Sequence, residues 1–168
     1  LGAQAGDELR LAVIPGLGDS TSATAEAAGL AQLNVDAAAV TMNNGVITSC
    51  YIDSIQAKVN FDATGAITSD LKADILTKNE LGDAYGMKQY AGSKYEWYEQ
   101  AEALANYAVG KTVDELKNGA IDETGKAPAG SDLASTATIY LGGYVSAIEV
   151  AVNNAKHLGA QSGDELRL

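Results

Sequence analysis

The two ends of the chain carry nearly the same eleven residues. Residues 1–11 read LGAQAGDELRL and residues 158–168 read LGAQSGDELRL, so ten of eleven positions match at an offset of 157 residues. Recurrence at a fixed period is typical of tandem arrays of one folded unit. The sequence therefore predicts a single repeat over residues 1–157 and the start of the next repeat over residues 158–168; the alternative is a duplication introduced by cloning. Because one domain offers one position for this strand, we expect one copy to occupy it and the other to be frayed or packed on a neighbouring molecule.

The charge balance and the apolar content narrow the classes of protein to consider. The chain has 168 residues, 11 basic and 22 acidic side chains, a net charge of −11 and 46% hydrophobic residues, which suits one domain of the usual size. Strong acidity disfavours nucleic acid and anionic membranes as partners, since both are polyanionic. No apolar run approaches the roughly 20 residues that cross a bilayer. An acidic repeat rich in Gly, Ala, Asn and Thr favours an extracellular or cell-surface location.

Single cysteine and histidine residues limit the chemistry available to the chain. Cys50 alone excludes an internal disulfide and a cysteine-built zinc site, and its place on the apolar side of a predicted strand indicates a buried thiol. His157 falls at the end of a predicted helix beside the repeated segment, which indicates a solvated or helix-capping role. The sequence predicts no metal site and no nucleophile–histidine pair.

The N-terminal half has the alternation of β-strands. A short apolar run covers residues 9–14, and residues 31–39 place apolar side chains at the odd positions, which predicts a strand with that face buried. A turn at Asn43-Asn44-Gly45 leads into residues 46–61, where the apolar parity changes near Asp53 and predicts a bulge or bend. The pattern as a whole predicts an antiparallel meander.

Two capping-box patterns mark helices in the C-terminal half. Ser93 with Glu96 precedes a helix that ends at Gly110, and Thr112 with Glu115 begins a shorter one. The expected fold class is therefore α+β, with the antiparallel meander sheet of the N-terminal half packed against helices from the C-terminal half.

A final helix is predicted over residues 136–156, after a loop over residues 118–131. It would contain Gly142-Gly143, where the missing side chains allow close packing. Its buried stripe would consist of Leu141, Val145, Ile148 and Val152.

One segment before this helix reads Gly-Ser-Asp-Leu-Ala-Ser-Thr-Ala-Thr over residues 130–138. One interpretation is that Asp132 or Ser135 simply caps the helix. The other starts from a resemblance. The stretch from Asp132 to Thr138 resembles the flavinylation motif Asp-x-x-Ser/Thr-small-Ala-Thr/Ser of FMN-binding domains, with Thr136 in place of the usual glycine.

The resemblance implies a role for each residue of this motif. In that family a flavin transferase takes FMN from FAD and joins its phosphate to the last threonine, so Thr138 would be the acceptor. Asp132 and Ser135 would be recognised by the transferase, and Ala137 would be the small residue beside the acceptor. Leu133 and Thr136 would complete the segment. A phosphate at this place would meet the unpaired backbone N–H groups at the start of the last helix.

Two further segments resemble the surface flavoprotein repeats used in extracellular electron transfer by Gram-positive bacteria. They cover residues 78–88 and 96–100, and with the strands and the last helix the resemblance extends over most of residues 9–157. The flavin ring needs an apolar or aromatic wall, for which the candidates are Met87, Trp97, Tyr98 and Tyr140; each could equally be a core residue. Lys88 would place positive charge near the reduced flavin.

The resemblance implies an FMN-binding-domain-like fold and an electron carrier rather than a self-contained enzyme. Each repeat would carry one FMN, linked by a phosphoester to Thr138, and would pass electrons from a membrane donor to an extracellular acceptor beside neighbouring repeats of the same chain. A flavin transferase would be needed for maturation. Two alternatives stay open: a structural or adhesive cell-surface repeat without a cofactor, and a module that binds flavin or another small ligand non-covalently.

Overall fold

Three antiparallel strands form the sheet of the N-terminal half. The computed structural model describes residues 3–154 and 163–165, and within them β1 (Glu8–Gly16), β2 (Gly29–Asn43) and β3 (Val46–Phe61) pair in the order β1–β2–β3. β2 and β3 are joined at Asn44 and Gly45, whose φ angles of 49° and 81° are those of a tight hairpin turn with two left-handed residues. The predicted meander is confirmed.

Helices and short 3-10 turns make up the C-terminal half. In chain order they are α1 (Lys78–Leu81), a 3-10 turn (Gly82–Tyr85), α2 (Met87–Tyr90), α3 (Trp97–Ala108), α4 (Val113–Ala120), a second 3-10 turn (Leu133–Ser135) and α5 (Gly142–Asn153). The α+β class is therefore confirmed. Among the described residues, no helix combines the length and the apolar character that crossing a membrane requires.

Both α3 and α4 begin with a capping box, and the box of α4 is the predicted one. Thr112 and Glu115 form the predicted capping box of α4. The box of α3 differs from the prediction, because Glu96 is the capping residue itself and its partner is Glu99, whose carboxylate accepts the Glu96 N–H at 2.7 Å. Ser93 instead donates its hydroxyl to the carbonyl of Tyr95 at 2.8 Å.

The last helix begins six residues later than predicted. Residues 133–135 form the second 3-10 turn, and the chain then runs irregularly until α5 starts at Gly142. The N–H groups of Leu141 and Gly142 both donate to the carbonyl of Gly125, at 2.8 and 3.0 Å, and this long-range pairing holds the preceding residues out of the helix. Gly142 and Gly143 thus open α5, where a Cβ on Gly143 would lie 2.9 Å from a carboxylate oxygen of Asp36.

The core lies between one face of the sheet and the helices α3 and α5. It includes Ala38 and Val40 from β2, Cys50 from β3 and Leu104 from α3. The four residues of the predicted stripe, Leu141, Val145, Ile148 and Val152, are all buried. Cys50 is 0% exposed, which confirms its predicted core position, and this burial raises the pKa of its thiol to about 12.

The prediction for the buried face of β2 is correct at Ala39, which is buried, and wrong at Ala31 and Leu33, which are exposed. The residues buried under the helices lie mainly on the even positions, at Ala38, Val40 and Met42. The helices lie on the even side, and at the other end of β2 the 17–28 loop covers Gln32, whose N–H donates to the Ser20 hydroxyl at 3.0 Å.

The odd face of the sheet therefore has no helix layer among the described residues. Val13 of β1, 58% exposed, and Leu11, 44% exposed, lie on it together with Leu33. Apart from the buried Ala39, the apolar odd positions of residues 31–39 therefore lie on the side of the sheet away from α3 and α5.

The predicted bulge near Asp53 is also wrong. The register shift of the described sheet falls between Thr41 and Met42, beside the hairpin, and β3 runs through Asp53 without interruption. The apolar parity changes because the two halves of β3 place apolar side chains on opposite faces, Cys50 under the helices and Ile55 on the far side.

The repeated end segments meet. The first copy supplies Glu8–Leu11 to β1, as expected for one of the two copies. Of the second copy, residues 163–165 are described, and two of them bond to the first copy: the N–H of Ala3 donates to the carbonyl of Asp164 at 2.8 Å, and the N–H of Gly163 donates to the carbonyl of Ala3 at 3.3 Å. Gly6 and Gly163, equivalent positions of the two copies, share a φ of 92°. His157 lies outside the described residues, as do residues 158–162 and 166–168 of the second copy.

Candidate functional site

A cavity of about 450 Å³ opens between the α1–α2 segment, the start of α3 and the start of α5. Its apolar wall consists of six side chains: Tyr85, Met87, Trp97, Ile139, Tyr140 and Tyr144. This volume falls within the usual range for small-molecule sites, and four aromatic rings in one wall suit a flat aromatic ligand. The cavity therefore has the size and the lining of a cofactor site.

Two of the rings are fixed against each other. Trp97 and Tyr144 meet edge to face, with ring centroids 5.6 Å apart and an interplanar angle of 68°. The indole N–H of Trp97 donates to the Tyr144 hydroxyl at 3.0 Å. Burial raises the pKa of Tyr144 to about 12, so this phenol is neutral at physiological pH and the deep wall of the cavity holds no anion at this point.

A buried lysine faces the same space. Lys78, the first residue of α1, is 7% exposed, and its ammonium lies 5.1 Å from the ring centroids of both Tyr85 and Trp97. Its Nζ donates to the Tyr144 hydroxyl at 3.5 Å. Desolvation lowers the pKa of Lys78, while the charges of Asp36 and Asp53 act in the opposite direction.

The predicted acceptor lies at the edge of this cavity. Thr138 is exposed, and the next two residues, Ile139 and Tyr140, belong to the cavity lining. The N–H groups of Thr138 and Ile139 both donate to Oε1 of Gln100, at 2.8 and 3.2 Å, and the Thr138 hydroxyl lies 3.3 Å from the same oxygen. One side-chain amide of α3 thus fixes the position of the acceptor.

Gln100 is itself held on its other side. It is 0% exposed, and its Nε2 donates to the Tyr95 carbonyl at 3.0 Å and to the Ser93 hydroxyl at 3.2 Å. Because both ends of the amide are bonded, its orientation is determined, and the oxygen rather than the nitrogen faces the acceptor loop.

The motif residues divide by exposure. Asp132, Ser135 and Thr138 are exposed, whereas Leu133 and Ala137 are buried in the core. The spacing of three residues places the polar positions on the accessible side of the loop, where another protein can reach them. Thr136, where the family has glycine, directs its hydroxyl to the Leu133 carbonyl at 3.2 Å.

The motif does not serve as a helix cap. The residue that precedes α5 is Leu141, which makes no side-chain capping bond, and Asp132 makes none to the 3-10 turn that follows it. Thr138 lies four residues before α5, so the predicted placement of the acceptor at the helix N-terminus is wrong as well. The backbone N–H groups of Thr138 and Ile139 are already bonded to Gln100.

Met87 is held in the cavity wall by a buried carboxylate. Glu96, 2% exposed, accepts the N–H of Met87 at 2.7 Å and the N–H of Lys88 at 3.0 Å. The Lys88 side chain leads away from the cavity, where its ammonium pairs with Glu99 at 2.6 Å. This hydrogen bond raises the pKa of Lys88.

Tyr98, like Lys88, lies outside the aromatic cavity. Its ring lines two neighbouring cavities, of about 280 and 510 Å³, between α3 and the free edge of β3. Its hydroxyl donates to Asp83 at 3.1 Å, which raises the pKa of Tyr98. Of the five predicted ring contacts, the structure therefore brings Met87, Trp97 and Tyr140 into one cavity and leaves Lys88 and Tyr98 outside it.

Sequence reasoning missed Lys78, Tyr85, Gln100 and Tyr144. Gln100 had a recognisable signal, because a glutamine three residues after Trp97 falls on the buried stripe of α3. Lys78 had none, since lysines are rarely buried without a partner of opposite charge. Within residues 3–154 and 163–165, no cluster of His, Cys, Asp and Glu could hold a metal ion.

No family model matches the chain, and no solved structure matches it. A 42-residue segment, 25% of the chain, is 52% identical to a protein named chlorophenol reductase from Desulfitobacterium hafniense. The match spans 13% of that relative's length, so it assigns neither a fold nor an activity to this chain.

Proposed function

We propose that this protein is an electron carrier with FMN attached through its phosphate to Thr138, one repeat of a multi-flavin extracellular protein. One observation carries the proposal: the exposed Thr138 at the end of a flavinylation-like motif lies at the edge of an aromatic cavity. A tether at Thr138 would leave the attached flavin ring beside Ile139 and Tyr140, the first residues of the cavity wall. An FMN-binding-domain-like fold is part of the same proposal.

The residues at the site fit FMN. The exposed Tyr140 and the half-buried Tyr85 offer aromatic surface to a flat tricyclic ring, Met87 offers a polarisable contact, and the buried Trp97 and Tyr144 form the back of the wall. When bound, FMN supplies one- and two-electron redox chemistry. The chain's own residues would position the ring and shield it from water.

Covalent attachment suits the charge of this chain. A net charge of −11 opposes the retention of a free anionic flavin. In the proposed maturation step, Oγ1 of Thr138 loses its proton and bonds to the FMN phosphorus, the pyrophosphate bond of FAD breaks, and AMP leaves. The exposed Asp132 and Ser135 are available for recognition by the transferase that would carry out this step.

The proposed carrier would act together with neighbouring repeats, an electron donor and an electron acceptor. Near-identical ends predict that units of this kind follow one another, each with one flavin, between a membrane electron donor and an extracellular acceptor. The 42-residue similarity to a protein named a reductase is compatible with a redox role.

The second candidate is a structural or adhesive repeat without a cofactor. The exposed apolar residues Leu11, Val13 and Leu33 on the uncovered sheet face favour it, because such a surface suits contact with another protein. Its interpretation of the motif as a cap of the last helix finds no support, because α5 starts at Gly142 and its capping position is Leu141.

Co-expression with an active flavin transferase tests the proposal. We expect the wild-type chain to gain the mass of FMN less one water on the Thr138 peptide and to stay yellow after denaturation. Thr138→Ala should remain at its unmodified mass. Thr124→Ala, which alters another exposed loop threonine, is the matched control and should be labelled like the wild type.

Three other outcomes of the co-expression experiment would contradict the proposal. Covalent flavin on Thr138→Ala would show that the acceptor is another residue. Flavin that is lost on denaturation would indicate a non-covalent binding module. A colourless wild-type chain, with a known substrate labelled in the same cells, would favour the structural repeat.

A further inference from the structure

Lys78 is a buried cation with no ion pair among the described residues. It is 7% exposed, and it takes part in none of the ion pairs of the described residues. Its ammonium is surrounded by the rings of Tyr85 and Trp97 and by the neutral Tyr144 hydroxyl. Asp36 and Asp53 act on this ammonium without a direct ion pair, so its lost hydration is only partly offset and a ligand with negative charge would be stabilised beside it.

We propose that Lys78 sets the reduction potential of the flavin by offsetting the negative charge that reduction leaves on the ring. The inference rests on the proposed function and adds to it the residue that tunes the site. Sequence reasoning had given this role to Lys88, whose ammonium is exposed and already paired with Glu99.

The charge balance of the reaction defines what Lys78 would do. An oxidised isoalloxazine is neutral, and the addition of two electrons and one proton leaves it with one negative charge. The electrons come from the external donor and the proton from solvent, so Lys78 keeps its own proton and acts only through its charge. A fixed positive charge beside the ring stabilises the reduced form relative to the oxidised form and raises the potential.

Other charges face Lys78 from the sheet. Asp36 and Asp53 attract its ammonium and Lys58 repels it, and Asp19 and Asp36 also line the cavity. Asp36 is partly engaged, since it accepts the Ser54 hydroxyl at 3.0 Å. The carboxylates of Asp19 and Asp36 would oppose a further negative charge in the cavity, so the reduced ring depends all the more on Lys78, the lysine of the cavity lining.

The alternative role for Lys78 is purely structural, as a cationic brace between two rings. A brace would influence the melting temperature and leave the potential unchanged. The potential and the number of protons taken up per two electrons therefore separate the two roles.

The test is spectroelectrochemical titration of the full chain after covalent loading by the transferase. For Lys78→Met we expect the preference for the reduced form to fall at least tenfold, which corresponds to about 30 mV for a two-electron couple. The proton uptake of this variant at mildly acidic pH should rise above one per two electrons. Lys117→Met removes an exposed lysine that is paired with Glu149 and should match the wild type.

Two more variants keep the experiment decisive. Lys78→Arg retains the charge and should stay within threefold of the wild type in its redox preference, and Lys78→Gln replaces Lys78→Met if the latter does not fold. A loaded neutral variant with the potential and proton uptake of the wild type would overturn the inference alone. A wild-type chain that acquires no flavin would overturn the proposed function, and the inference with it.

Discussion

Replacing Gln100 by methionine should destabilise the protein and release the loop that carries Thr138. Methionine matches glutamine closely in length and volume, so the α3 core stays filled and the change is confined to hydrogen bonds. The wild-type amide accepts from the N–H groups of Thr138 and Ile139 and donates to the carbonyl of Tyr95, at 2.8, 3.2 and 3.0 Å.

The magnitude follows from these three bonds to the backbone. Each contributes about 1 kcal/mol net, and a buried group left without a partner costs about 1–3 kcal/mol. In the variant, water can reach the N–H groups of Thr138 and Ile139 more easily than the Tyr95 carbonyl. The lower energy of about 1 kcal/mol therefore applies to each of these two N–H groups. We expect a loss of about 3 kcal/mol in the free energy of unfolding.

Urea unfolding followed by circular dichroism measures this loss. Gln89→Met is the matched control, because Gln89 is exposed on α2, and it should differ from the wild type by less than about 0.5 kcal/mol. A Gln100→Met variant as stable as the Gln89→Met control would refute the assignment of Gln100 as the anchor of the acceptor loop.

Two further predictions concern titratable groups away from the cavity. Burial would raise the pKa of Asp7, but its hydrogen bonds from Gln4 N–H at 3.0 Å and the Thr48 hydroxyl at 2.8 Å outweigh it, and the pKa lies below the ordinary 3.8. The ionised Asp7 therefore stabilises the fold above pH 3.8, and this stabilisation is lost as the pH falls through the folded-state pKa. When the free energy of unfolding is measured from about pH 5 to 2, Asp7→Asn should lose less stability than the wild type. The Cys50 thiol, with its pKa raised to about 12 by burial, should resist a maleimide in the native protein and react at once in denaturant, and rapid native labelling would contradict its core position.

Local signals in the sequence identified the elements more reliably than their surroundings. The hairpin at Asn44-Gly45 and the cap of α4 at Thr112 depend on neighbouring residues, and both are present as predicted. The start of α5 depends on bonds to Gly125, 16 and 17 residues earlier in the chain, and no local pattern contains that information. The predicted helix was therefore too long at its N-terminus.

The buried face of β2 could not be chosen from its own sequence. Three consecutive alanines, Ala37 to Ala39, give both faces a similar apolar content, and the choice is made by the side on which α3 and α5 pack. The candidate site likewise combines a residue that a local motif identifies with residues that only the tertiary fold brings near it. A contiguous motif singled out Thr138, but its partner Gln100 lies 38 residues away, and Lys78 reaches the cavity only through the tertiary fold.

The backbone bonds between Ala3 and residues 163 and 164 also have a mechanical consequence. They bring the point where the chain enters the folded unit next to a point just beyond where it leaves. If such units follow one another, as the repeated ends predict, tension along the chain passes across this pair of bonds and bypasses the sheet and the cavity. Each folded unit would then lie beside the path along which the force is transmitted. Stretching the array would break these backbone hydrogen bonds before it disturbed the cavity inside any unit.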